Sequence, residues 1–90
     1  SKMTVSHFRY LVGQGCRPHA CNEEMGIFVV DMLNDQAVAL VRGKRIRGWG
    51  VIGEKMNDFA VRQILNSWLK QFSLKLNSKS KRVSDVVEIR

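Results

Sequence analysis

Gly26-Ile27-Phe28-Val29-Val30, then Asp31 to Gln36, then Ala37-Val38-Ala39-Leu40-Val41: the reading of this stretch decides the fold. Two short apolar runs, rich in β-branched residues, read as buried strands. Asn34-Asp35-Gln36 between them is turn chemistry, because Asn and Asp side chains bond their own backbone and tolerate tight bends. Residues 27–32 and 38–41 are therefore expected to form an antiparallel hairpin. Downstream, Gly43-Lys44 marks the next turn. Residues 46–52 read as a fourth strand, weakened by Gly48 and Gly50 on either side of Trp49. Upstream, Phe8, Tyr10 and Val12 alternate with His7, Arg9 and Leu11, the period of a strand with an aromatic face. Gly13-Gln14-Gly15 is expected to end that strand. The first residues, Ser1-Lys2-Met3-Thr4, read as a remnant of expression ahead of a domain cut from something longer.

After residue 56 the period changes. Val61, Ile64, Leu65, Trp68 and Phe72 fall at spacings of three and four and make one apolar stripe, with Arg62, Gln63, Asn66, Lys70 and Gln71 elsewhere. That pattern predicts an amphipathic helix whose stripe packs on the sheet. Asn57 is its expected N-cap, Met56 a staple onto Val61, and Lys70 a cation suited to the far end of the dipole. The fold class is thus α+β: an antiparallel sheet of about four to five strands with a C-terminal amphipathic helix on one face. Residues 1–76 are expected as one domain, with 77–90 as a basic tail or a last short strand over 83–89. There is no internal repeat.

The chain has 90 residues, 44% of them hydrophobic and 26% charged, the balance of a globular protein. No apolar run approaches the ~20 residues of a membrane span, and no signal peptide is visible. Net charge is +7, from 15 Lys and Arg against 8 Asp and Glu, which favours acidic partners. Arg42, Lys44, Arg45 and Arg47 form one basic cluster; Lys70, Lys75, Lys79, Lys81 and Arg82 form another. The plain alternative is a solvated turn and a frayed basic tail.

The two cysteines bracket Cys16-Arg17-Pro18-His19-Ala20-Cys21, which includes the sole proline. Bonded to each other, they would close a tight ring presenting Arg17 and His19. Zinc is a competing reading, since Cys16, His19 and Cys21 are ligand types with His7 as a fourth, but a second ligand pair is missing. A redox dithiol is disfavoured by the spacing. A purely architectural staple also remains open. Enzymatic readings are weak. There is no nucleophile triad, phosphate loop or metalloprotease helix, and Gly48-Trp49-Gly50 with Gly53 is too apolar for a dinucleotide fingerprint. No catalytic residue, metal or cofactor is expected.

Tyr10-Leu11-Val12-Gly13 followed by the six-residue loop resembles the inhibitor of vertebrate lysozyme (Ivy) family, whose signature loop is Cys-Lys-Pro-His-Asp-Cys. The likeness extends across residues 8–72, through the apolar hairpin, Trp49-Gly50 and the helix start at Asn57-Asp58. Only the loop is specific. The resemblance implies a periplasmic or secreted protein that inhibits by inserting the disulfide loop into a catalytic cleft. Cys16 and Cys21 match the bridging cysteines, Pro18 the proline and His19 the histidine that enters the cleft. Arg17 stands for Lys and keeps its charge; Ala20 stands for Asp and does not.

The expected function is therefore non-enzymatic inhibition of a lysozyme-type glycan hydrolase through Arg17, Pro18, His19 and Ala20. A homo-oligomer stays open. The alternative is a basic module of a larger cell-envelope assembly, binding an anionic polymer or, less favourably, nucleic acid through Arg42, Lys44, Arg45 and Arg47. Against that alternative, exposed aromatics are not expected among the basic residues, since Trp68 and Phe72 face the core.

Overall fold

A computed structural model describes residues 2–6, 9–19, 23–53 and 55–89, and for 2–6 the backbone only. Five strands form one antiparallel sheet in the order of the chain: β1 (Lys2–Ser6), β2 (Tyr10–Cys16), β3 (Met25–Asp31), β4 (Gln36–Arg42) and β5 (Ile46–Trp49). One helix, α1 (Asp58–Leu69), runs on through a 3₁₀ turn (Lys70–Phe72). A second, two-stranded antiparallel sheet follows, β6 (Leu74–Leu76) with β7 (Val86–Glu88). The architecture is α+β, as the two sequence periods imply.

The hairpin forms where expected. β3 and β4 pair with Val29 opposite Val38 and Ile27 opposite Leu40, and all four are buried. Tyr10 and Val12 continue this inner face across β2. Against it α1 buries Ala60, Val61, Leu65, Trp68 and Leu69, while Ile64 and Phe72 of the expected stripe are half-buried. Asn57 is the N-cap, its side-chain oxygen accepting from the Ala60 N–H at 3.1 Å. Tyr10 places its hydroxyl at the same end, where it accepts from the Asn57 N–H at 2.6 Å.

One expectation is corrected. Gly13-Gln14-Gly15 does not end β2, which runs on to Cys16. Gly13 is a contact site: a Cβ there would collide with the ring of Phe28 on the neighbouring strand. Glycine at this point admits a side chain from β3 and leaves the ladder intact. Residues 2–6 form a strand that pairs along β2, from Lys2 with Gln14 to Ser6 with Tyr10.

A polar cluster with no local sequence signature closes the far end of the sheet. Asp31 is fully buried. Its carboxylate accepts from Arg9 at 2.8 and 3.1 Å, from the Leu33 and Asn34 N–H groups and from the Asn34 side chain. Arg9 and Asn34 also donate to the Lys55 carbonyl. One carboxylate thereby joins the entry to β2, the β3–β4 turn and the approach to α1.

Residues 74–89 fold back on the helix. Val83 is fully buried, and Val51 and Arg82 form an isolated antiparallel bridge. Ile52 N–H donates to the Lys81 carbonyl and Val83 N–H to the Gly50 carbonyl. Gly50 needs its φ of 98° for this departure from β5. Arg62 donates to the carbonyls of Asn77 and Ser80, and Lys81 pairs with Asp58 at 3.0 Å. The Lys81 and Arg62 hydrogen bonds hold the Asp58 carboxyl below its ordinary range.

Candidate target-binding loop

The loop grows from the β2–β3 hairpin. Gly15 pairs with Gly26 and Cys16 with Met25 at its last rungs. Beyond them the Arg17 N–H donates to the Glu24 carbonyl at 3.1 Å, which clamps the strands where the loop leaves them. Pro18 fixes its own φ and confines Arg17 to extended backbone. His19 takes a φ of 63°, the left-handed region that few non-glycine residues enter and that His enters more readily than most. Arg17, Pro18 and His19 are all exposed. Cys16 is disulfide-bonded. Ala20 and Cys21 lie outside the described residues, as does His7.

The described part of the loop carries a proline and a left-handed residue on a clamped hairpin end, and each restricts the backbone. Such a loop loses less conformational freedom on binding than a flexible one. Among the described residues no three His, Cys, Asp or Glu side chains gather as metal ligands, and no helix is long and apolar enough to cross a membrane.

The four residues of the basic cluster divide into two pairs, Arg42 with Lys44 and Arg45 with Arg47. Arg42, on the inner face, is half-buried, with its guanidinium 4.9 Å from the centre of the Phe72 ring. Lys44 lies at the turn with Arg42, Arg17, Glu23 and Glu24, where a small concavity joins the loop base to the β4–β5 connection. Arg45 and Arg47 line a different concavity together with Trp49 and Ser84. An aromatic does stand among the basic residues, contrary to the sequence reading. Trp49 is 51% exposed, and the Arg47 guanidinium lies 5.7 Å from the centre of its ring. The signal was present in the alternation of β5, which puts Arg47 and Trp49 on one face and Ile46 and Gly48 on the other.

A model of the family described as inhibitor of vertebrate lysozyme (Ivy) matches residues 2–73. The chain belongs to the Ivy family. The match takes in the whole five-stranded sheet, the loop and α1, and stops where β6 begins. No curated protein and no solved structure matches the chain.

Proposed function

We propose that this Ivy-family chain inhibits a lysozyme-type glycan hydrolase by seating the 16–21 loop in the catalytic cleft, with His19 as the contacting residue. The observation that carries this reading is the family match over residues 2–73, together with an exposed His19 held at a left-handed φ on a clamped hairpin. In the same proposal Cys16 is bonded to Cys21, closing the ring, and the protein acts in an oxidising compartment outside the cytoplasm.

The chemistry suits the role. A retaining glycosidase has a protonated carboxylic acid and a carboxylate about 5 Å apart. A neutral imidazole has one N–H donor and one lone-pair acceptor. It can bridge the pair, donating to the carboxylate and accepting from the acid. A lysine ammonium cannot accept. Arg17 adds a cation toward an acidic cleft, and Ala20 adds none of the charge that Asp supplies in the family loop. With a net charge of +7, the matched target is a hydrolase less basic than the chain itself, because like charge slows encounter and disfavours the complex.

The test is lysis of cell walls by a panel of acidic and basic lysozymes. The protein and its His19→Ala variant are compared at matched circular dichroism. His19→Ala is expected to weaken inhibition about 30-fold or more, the scale of a hot-spot residue. Undiminished inhibition by the variant would overturn the role of His19, and absence of inhibition across the panel would overturn the function.

A further inference from the structure

The sheet has two faces, and α1 covers only one. On the other face the strand registers align Gly13, Phe28, Ala39 and Trp49 in a single row across β2, β3, β4 and β5. Its two aromatic residues are both exposed, Phe28 at 37% and Trp49 at 51%. The Phe28 ring lies over Gly13, where a Cβ would collide with it; the ring therefore rests against the sheet. Ala39 separates the two rings, and Gly15 and Gly26 continue the same face without side chains. The result is a run of small residues between and beside the two aromatic rings, bordered on the same face by Val30 and Val41.

The charge beside Trp49 is positive. Arg47 shares the face of Trp49 and sits beside its ring, and Arg45 lines the concavity of about 400 Å³ at that end. A groove of about 570 Å³ runs from Phe28 over Gly13, Gly15 and Gly26 to Arg17 and Pro18. Arg45 and Arg47 thus stand at the Trp49 end of the row, while the loop end of the groove carries Arg17 beside Glu24.

We propose that this face is a binding platform for an extended, carboxylate-bearing polysaccharide, whose sugar rings stack on Trp49 and Phe28 while Arg47 pairs with a carboxylate. Phe28 and Trp49 stand on strands two steps apart, about 10 Å at the backbone, and the Phe28 ring leans further away over Gly13, so a ligand that reaches both rings is an extended one. Aromatic faces receive the apolar C–H face of a sugar, and a guanidinium forks onto a carboxylate in a bidentate pair. A second copy of this chain is the poorer occupant, since pairing two such faces brings Arg47 and its neighbours against like charge in a molecule of net charge +7. The platform does not include His19 and does not rest on the inhibitory reading.

The two tryptophans allow a direct test, because Trp68 is 5% exposed in the core and Trp49 stands on the platform. A hyaluronan decasaccharide, with a carboxylate on every second sugar, is titrated into the full chain and followed by tryptophan fluorescence and calorimetry. A polyglutamate of equal charge is titrated in parallel. Hyaluronan is expected to quench or blue-shift Trp49 emission, and polyglutamate to bind more weakly without that change. Trp49→Ala should weaken hyaluronan binding about tenfold or more, the scale of losing an aromatic anchor, and Trp49→Tyr should restore most of it. Arg47→Gln should weaken binding and flatten its salt dependence. Lysozyme inhibition should be unchanged in all three variants. Equal binding of polyglutamate with no effect of Trp49→Ala would reduce the surface to charge alone and overturn the proposal. So would concentration-dependent self-association abolished by Phe28→Ala, which would make a second copy the occupant. Absence of hyaluronan binding would overturn it as well.

Discussion

Asp31 and His19 are single residues set in opposite circumstances. Asp31 is fully buried and accepts five hydrogen bonds, two of them from Arg9. Those donors stabilise the charged form, the Arg9 bond most, and hold the carboxyl well below the ordinary aspartate value of 3.8. A depressed folded pKa means stability that is fully present above the unfolded value and is lost as pH falls toward the folded one. Asp31→Asn is therefore expected to destabilise the protein at pH 6 by roughly 1–3 kcal/mol, the scale of hydrogen bonds to a charged group. The gap between wild type and variant should narrow below about pH 4. Urea unfolding across pH measures both; a gap independent of pH would show that the carboxylate charge is not what joins the three segments. His19, by contrast, is exposed and held by backbone alone. Its neighbours in the chain explain why it was legible from the sequence: Pro18 and the flanking cysteines are local signals. Asp31 was not, because Arg9 lies 22 positions away and neither residue carries a pattern of its own.

Among the elements, β3, β4 and α1 were readable because each advertises its period within a few residues. Asn57 was readable as a cap for the same reason. β2 was misread at its end, since Gly13 serves a contact with Phe28 on another strand that no local pattern announces. β1 was missed although Lys2-Met3-Thr4-Val5-Ser6 alternates polar and apolar residues, a signal that was available. Gly13→Ala is expected to cost about 1–3 kcal/mol, the range for inserting a group into a packed site. Much of that loss should disappear in the background of Phe28→Ala, because the collision is with that ring and neighbours couple in double-mutant cycles. Equal costs of Gly13→Ala in both backgrounds would place the need for glycine in the backbone instead. Thermal unfolding of the four proteins in the cycle decides it.

For the whole molecule, architecture and charge divide the work. The family match covers the sheet, the loop and α1, while β6, β7 and the bridge at Val51 and Arg82 close the structure beyond it. The α+β class followed from the order of the sequence periods. The exposed aromatic row did not, because it exists only once four strands are in register. The basic surplus of +7 belongs to this scale too: it favours acidic partners, whereas in the proposed function the loop is what meets the cleft. The central claim is that the loop occupies that cleft. The most direct measurement is competition: a complex of the protein with a lysozyme it inhibits is titrated with a tri-N-acetylglucosamine ligand that fills the cleft. The account predicts mutually exclusive binding, with the apparent dissociation constant of the protein rising in proportion to the concentration of trisaccharide. Simultaneous binding, with that constant unchanged at saturating trisaccharide, would contradict it.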